Sequence, residues 1–379
     1  MAPPAEEAAL SPGRSFAVVS ALLGACASPP PGVLSTAREL APETSPARLP
    51  QPTDGVPLGL LVSENRILRR DGTVFRGRGV NLHDTRSCNA CVTLPPDVAG
   101  LNRWSDELVD EWHVSFVRFL LSAWASADGY RLQHRRLVDD AGYARDVHAA
   151  VTHLTDKGVY VLVSVFADPS MLPDGKHPES EWPTAQTLPV YGLLAELFAG
   201  DPRVLFGLTN EPHGPRARNG DLARRYLAAI DVIRAVEAAR GAEPHLIVVS
   251  APQDYARDVS YFVDHPLPRP QIAYEIHPYS HASELDRLVS GPSRVLPLIV
   301  GEYGPTKDMN ERDVEALWML CDRLGIPHTA WNFHARCPPN LLADSAADGC
   351  GFARPSTTPL PRSAWGNQVF TYLRGASGR

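Results

Sequence analysis

The chain has no run of lysine and arginine that could track a phosphate backbone, and no large excess of either charge. Its 36 basic side chains face 43 acidic ones, a formal net charge of −7, so nucleic acid is an unfavoured partner. It also lacks the long apolar stretches of a many-pass membrane protein. The apolar run from Ser15 to Ala25 is eleven residues long, too short to cross a bilayer as a helix. No glycine-rich phosphate turn follows the first apolar strand; Asn81, Leu82, His83 and Asp84 stand there instead, which removes the usual signature of a dinucleotide-binding sheet. What remains is ordinary globular material. With 44% hydrophobic and 21% charged residues among 379, the chain can bury a sizeable core. Its length suits two or three average domains or one α/β barrel.

The N-terminal stretch differs in kind from the rest. Eleven of the 36 prolines fall in the first 57 residues, a density that argues against packed structure. Arg14 and the apolar run behind it have the dimensions of a signal-peptide core. The run ends in Leu23, Gly24, Ala25 and Cys26, which resembles the cleavage box of bacterial lipoproteins, where the cysteine becomes the lipid-bearing first residue. Glu6 and Glu7 are unusual in a positively charged leader, and the alternative is an unstructured tail with a chance apolar cluster. The expected organisation is a leader over 1–26, a Pro-rich linker over 27–58 and a folded domain over 59–379. That would give an extracellular or cell-surface protein, attached to a membrane through lipid on Cys26.

From Leu60 onward the pattern changes. Ile67 to Phe75, broken by Asp71 and Gly72, reads as a small hairpin. Eight short apolar segments follow: Gly79 to His83, Phe116 to Leu120, Tyr160 to Phe166, Val204 to Leu208, Leu246 to Ser250, Ile272 to Ile276, Leu298 to Gly301, and Thr329 to Phe333. Continuous apolar runs are what strands covered on both faces require. Helical patterns lie between them. Leu222, Tyr226, Ile230, Ile233 and Val236 share one face of Asp221 to Arg240, with Asp221 expected to cap it, and Val314, Leu317, Trp318, Cys321 and Leu324 share one face of Asn310 to Leu324. Eight alternating units demand parallel strands with right-handed crossovers, so the predicted fold is a single α/β domain, a (β/α)8 TIM barrel.

In such a barrel the loops after the strands carry the chemistry. The fourth strand ends in Thr209, Asn210, Glu211, Pro212 and His213, and the seventh in Gly301, Glu302, Tyr303 and Gly304. Two carboxyl groups are therefore expected to converge at the barrel mouth. Arg118 on strand two, the Asn210, Glu211, Pro212 triplet, the His277, Pro278, Tyr279 segment, Glu302 and Trp331 occur in order, each at its strand end. Together they resemble glycoside hydrolase family 5, over Gly79 to about Leu373. The resemblance implies a retaining hydrolase of β-linked polysaccharide, with Glu211, the less solvated of the two and so the one that keeps its proton, as acid/base and Glu302 as nucleophile. It makes an endo-β-1,4-glucanase the leading activity, with β-mannan or another β-glucan as the alternative substrate. It further implies that Arg118 and Tyr279 favour ionised Glu302, that Asn210 holds the sugar 2-hydroxyl, that His277 lies near the acid/base, and that Trp331 is a sugar platform. His83 is a candidate pocket histidine. No cofactor and no metal are implied. Strand three closes on Phe166, Ala167 and Asp168, where many cellulase-type members carry a histidine; that departure touches substrate choice.

Blander readings compete at each position. Glu211 and Glu302 could be surface carboxylates. Glu275, a rival nucleophile, lies deeper in strand six and reads as a buried structural partner. His83 could be a structural histidine. His213, Trp124, Trp182 and His334 fall in loops that could line further sugar subsites. A polysaccharide-binding lipoprotein without catalysis is the alternative of another class. Among the cysteines, Cys321 is expected to be a buried free thiol. Cys88, Cys91, Cys337 and Cys350 could form two disulfides, with Cys337 to Cys350 and Cys88 to Cys91 as one of three pairings; their spacing is poor for zinc. A monomer is expected.

Overall fold

The computed structural model describes residues 59–84, 97–121, 135–166, 181–335, 338–343 and 359–376, and the backbone of 87–89 and 92–93. Eight parallel strands close into a barrel in the order β3 (Arg78–His83), β6 (Phe116–Leu121), β7 (Tyr160–Val165), β8 (Val204–Gly207), β9 (Ile247–Ser250), β10 (Ile272–Ile276), β11 (Leu298–Val300) and β12 (His328–Ala330). All eight are the expected segments: β10 has the expected bounds, β3 and β12 begin one residue earlier, β6 ends one residue later, and β7, β8, β9, β11 and the end of β12 are shorter by one to three residues. The two strands β4 (Ser87–Asn89) and β5 (Val92–Thr93) form a separate small ladder.

The barrel closes because its strands are buried on both faces; β6 and β7 have no partly exposed residue. In register, Gly79 faces Phe116 and Phe116 faces Tyr160. A β-carbon at Gly79 would lie 1.7 Å from the Phe116 carbonyl oxygen, so β3 and β6 approach only because that position is glycine.

The N-terminal hairpin differs from expectation. Its main ladder joins β1 (Leu60–Ser63) to β2 (Arg66–Arg69), around Glu64 in the left-handed region at φ 53°. The expected turn at Asp71 and Gly72 is present, with Gly72 at φ 84°, yet it supports only a single bridge between Leu68 and Val74. The strand β1 is not legible in the sequence because it is only half-buried and carries no strong alternation. Leu60, Ile67 and Phe75 pack with Phe116, Tyr160, Leu162 and Leu205, a plug at the end where the strands begin.

Helices α1 (Val98–Asp110), α2 (Arg136–Asp139), α3 (Ala141–Asp156), α4 (Leu188–Phe198), α5 (Asn219–Arg240), α6 (Ser260–Asp264), α7 (Glu311–Leu324) and α8 (Ala364–Ala376) complete the described elements. Asn310 caps α7 in a reciprocal box with Asp313. Asp221 is not the cap of α5: the helix begins two residues earlier, and Asp221 lies in its first turn, paired with Arg218 at 2.7 Å. A carboxylate there still meets the positive end of the helix dipole. Leu222, Tyr226, Ile230 and Ile233 are buried as expected, and Cys321 is a buried free thiol. The side chains of the other five cysteines lie outside the described residues, as do residues 1–58. No described helix is long and apolar enough to cross a membrane.

Gly79→Ala should cost about 3 kcal/mol by overpacking the β3–β6 seam. Gly200→Ala, with no heavy atom within 4 Å of the added carbon, should stay within about 0.5 kcal/mol of the parent. Urea denaturation of the two variants checks the contrast.

Candidate active site

The barrel interior is layered. Apolar side chains fill its lower part, and a buried polar layer lies above them, centred on Arg118 of β6. The Arg118 side chain is fully buried. Its Nη1 donates to Asn81 Oδ1 at 2.9 Å and to Glu302 Oε1 at 2.8 Å, its Nη2 donates to Asn210 Oδ1 at 2.9 Å, and its Nε lies 2.6 Å from Glu275 Oε1. A guanidinium removed from water requires such compensation, and its planar fork can face several oxygens at once. Asn81 is held in turn by donating to the Gly301 carbonyl at 2.9 Å.

His277, just past β10, joins the carboxyl groups. Its Nδ1 is 2.9 Å from Glu211 Oε1 and 3.7 Å from Glu302 Oε1, and its Nε2 is 2.8 Å from Glu275 Oε1. Burial opposes a charge on this ring, but Glu302, Glu211 and Glu275 overcome it and push the imidazole up to about 10. Both ring nitrogens therefore donate at neutral pH. For Glu275, burial raises the carboxyl while Arg118 and His277 lower it, and the cations win, leaving it below the ordinary value. Glu275 is thus the buried structural partner anticipated for it.

Glu302 follows β11 in a segment whose neighbours must be small. A β-carbon at Gly301 would lie 2.0 Å from Glu275 Oε1, and one at Gly304 2.7 Å from Pro339 Cγ. Chain alternation sends Tyr303 the other way, into the core against Trp318, whose Nε1 donates to its hydroxyl at 2.9 Å. The Tyr279 hydroxyl donates to Glu302 Oε2 at 3.2 Å; burial, and then Glu302, keep that phenol protonated far above the ordinary range. Oxygens of Glu211 and Glu302 and a nitrogen of His277 all lie within 4.8 Å of one another.

The burial order of the two carboxyl groups corrects the expectation that the less solvated one is Glu211. The Glu302 side chain is 6% exposed and that of Glu211 is 26% exposed. Burial raises Glu302, with His277 and Arg118 pulling it down. What distinguishes the two groups is their donors: Glu302 receives Arg118 and Tyr279, whereas only His277 reaches the Glu211 side chain among the described bonds.

Glu211, His277 and Glu302 are also the one described cluster with the spacing to hold a cation. A charged His277 and the Arg118 guanidinium already neutralise its acidic groups, so a metal ion would meet like charge there.

The remaining candidates separate clearly. Trp331, 8% exposed, packs with Leu120, Phe166 and Tyr279 as the floor of the site. His83 is 1% exposed; it meets Trp331 edge-on at 5.7 Å and bonds Asn332 at 3.2 Å, while burial, His334 and Arg118 keep it neutral. Trp182 and His334, read as subsite candidates, are instead buried. Trp182 is clamped between the Arg218 and Arg225 guanidinium groups, each 5.4 Å from its ring, and His334 lies against His83 and Trp104. Only His213 is exposed, stacked on Tyr255 at 4.9 Å and 8°. Trp124, Ala167 and Asp168 fall outside the described residues. Sequence reasoning missed two contributors. Asn81, a polar residue inside an apolar strand, was a usable signal; Glu181, in a loop, gave none.

Residues 102–336 match the family model described as Cellulase (glycosyl hydrolase family 5), more than half of the chain. The chain belongs to this family. This family 5 member is 25% identical over 248 residues to Endoglucanase N of Pectobacterium atrosepticum, an alignment covering 65% of this chain and 49% of that protein; it spans about half the length of the curated relatives it matches. Its barrel is shared by the catalytic domain of an endoglucanase from Thermobifida fusca, at 17% identity and TM-score 0.63 over 83% of this chain and 97% of that one. It is shared also by a mannotriose complex of a Thermomonospora fusca β-mannanase, at 21% identity and TM-score 0.57 over 83% and 94%.

The His277 charge makes stability depend on alkali. A group raised in the fold from its ordinary value near 6.5 to about 10 stabilises fully below about pH 6.5, and this is lost as pH rises through about 10. Urea midpoints should therefore fall between about pH 7 and 10 in the parent and fall less in His277→Gln. Parallel curves would count against a charged ring.

Proposed function

We propose that this family 5 chain is a retaining β-glycosidase that cleaves β-1,4-glucan internally, with Glu302 as nucleophile and Glu211 as acid and then base. The observation carrying this reading is the approach of one oxygen of Glu211 and one of Glu302 to within 4.8 Å, which brings both carboxyl groups to a single bond and favours direct attack by one of them over a water-first mechanism, whose carboxyl groups stand roughly 6.5 Å or more apart.

The surroundings suit each role. Glu302 attacks the anomeric carbon with its carboxylate aimed by Arg118 and Tyr279. As the C1–O bond to the leaving sugar breaks, Glu211 passes its proton to the departing oxygen and a glycosyl ester forms on Glu302. Two cations and three carboxyl groups make up the cluster, so one proton held between Glu211 and Glu302 leaves it neutral, the state a buried site favours. Having given up its proton, Glu211 is ionised and accepts from His277 at 2.9 Å. In the second step water attacks the anomeric carbon and passes its proton to Glu211 as the ester bond to Glu302 breaks.

Arg118 occupies Asn210 Oδ1 and the Asn210 side chain also bonds Glu181; in the amide so fixed, the remaining N–H suits a sugar 2-hydroxyl. The Trp331 ring forms the floor for the sugar whose bond breaks, with His83 supporting it from behind. The exposed His213–Tyr255 stack beside Glu211 offers a flat face for sugars of the leaving group. The endoglucanase relatives favour β-1,4-glucan, and the likeness to a β-mannanase makes β-mannan the second substrate. The leader and Cys26 favour an exported protein.

Reducing-end release from a panel of soluble β-glucans, mannans and xylans tests this. Soluble β-1,4-glucan should be cut fastest, and Glu302→Ala should lose at least the 10²- to 10⁴-fold typical of a proton-transfer group. Glu211→Ala should lose a comparable factor on poor leaving groups, keep most of its rate on aryl glycosides with good ones, and regain rate with azide. Release by Glu302→Ala equal to the parent would end the assignment.

A further inference from the structure

Glu181 precedes α4, on the connection from β7, and no sequence pattern singled it out. Its Oε2 accepts the backbone N–H of Asn210 at 3.1 Å and that of Glu211 at 2.9 Å. These are the two residues of the active-site loop after β8. Its own backbone is left-handed, at φ 62°, a region that a β-carbon disfavours and that persists only where surroundings over-determine it. The surroundings do so here. The next residue, Trp182, is 2% exposed between the Arg218 and Arg225 guanidinium groups, and Arg225 Nη1 donates to the Pro183 carbonyl at 3.1 Å. An anchored segment thus delivers one carboxyl group, in a strained conformation, to the backbone of the acid/base.

We propose that Glu181 is a positioning residue for the proton donor, seating the backbone of Asn210 and Glu211 through their N–H groups. This rests on Glu211 being the acid/base. Without Glu181, neither N–H has another described partner on that side, and the donor's reach to the glycosidic oxygen is no longer fixed.

The surroundings also set the state of the Glu181 carboxyl. Burial, and then Glu211, raise it to about 7, against the backbone N–H groups and the Asn210 side chain, which favour its ionised form. Arg118 of β6, Tyr191 of α4 and Tyr226 of α5 also face it, and burial holds both phenols neutral.

The test compares the full-length parent, Glu181→Gln, Glu181→Ala and Glu211→Ala on nitrophenyl and dinitrophenyl glycosides of whichever disaccharide, cellobiose or mannobiose, the parent cleaves faster. The Gln amide oxygen can still accept both N–H groups without the charge. Its rate should stay within about threefold of the parent on both substrates. Glu181→Ala should lose about tenfold to a hundredfold in kcat on the nitrophenyl substrate and little on the dinitrophenyl one, with KM nearly unchanged. A loss in Glu181→Gln as large as that in Glu181→Ala, or an equal loss on both leaving groups in Glu181→Ala, overturns the proposal. If Glu181→Ala proves unfolded by circular dichroism, Glu181→Met, which keeps the length of the side chain without an acceptor, takes its place with the same outcomes. If Glu211→Ala itself loses equally on both substrates and gains nothing from azide, Glu211 is not the donor and the Glu181 role falls with it. Donor behaviour in Glu211→Ala with no effect in either Glu181 variant removes the Glu181 role only.

Discussion

One buried guanidinium organises this barrel. Arg118 has no contact with solvent, and each of its nitrogens is directed at oxygen: Asn81, Asn210 and Glu302 through hydrogen bonds and Glu275 through a close ion pair. Removing such a group from water costs several kcal/mol unless opposite charge and donors or acceptors compensate it. Satisfying Arg118 therefore ties together β3, β6, β10 and the loops after β8 and β11. The fold cannot relax one of these elements without exposing the charge to an uncompensated interior.

His277 extends the same logic upward. It is charged because three carboxyl groups surround it, and its two N–H groups hold Glu275 below and Glu211 above. Cations and carboxyl groups alternate from the barrel centre to its mouth. Glu302 is the more buried of the two strand-end carboxyl groups; burial raises it against the pull of His277 and Arg118, and Arg118 and Tyr279 donate to its two oxygens.

Glycine and strain mark where the scaffold is pressed closest. Gly79 admits the backbone of β6, Gly301 admits the Glu275 carboxylate, and Gly304 admits Pro339. Two of these flank Glu302 in sequence, so the Gly-Glu-Tyr-Gly segment is a packing requirement as well as a chemical one. Glu181 is the opposite case, a side chain in a left-handed conformation where glycine would be easier, whose carboxyl group accepts from the Asn210 and Glu211 backbone.

The eight strands, two of the helices and the strand-end carboxyl groups were legible in the residues, because strands covered on both faces must be continuously apolar and polar residues at their ends then stand out. Arg118, Asn210, His277, Tyr279 and Trp331 were singled out by the resemblance to glycoside hydrolase family 5. The order of β1 and β2 was not legible, since a half-buried strand on a barrel end leaves a weak pattern. Nor were the burial of Trp182 and His334, the greater burial of Glu302, or the reach of Glu181 to the Glu211 backbone. Periodicity records which face of an element avoids water, and that determined the architecture. Which groups meet across the barrel, and at what electrostatic cost, depends on distances between residues far apart in the chain, and only the tertiary structure decided it.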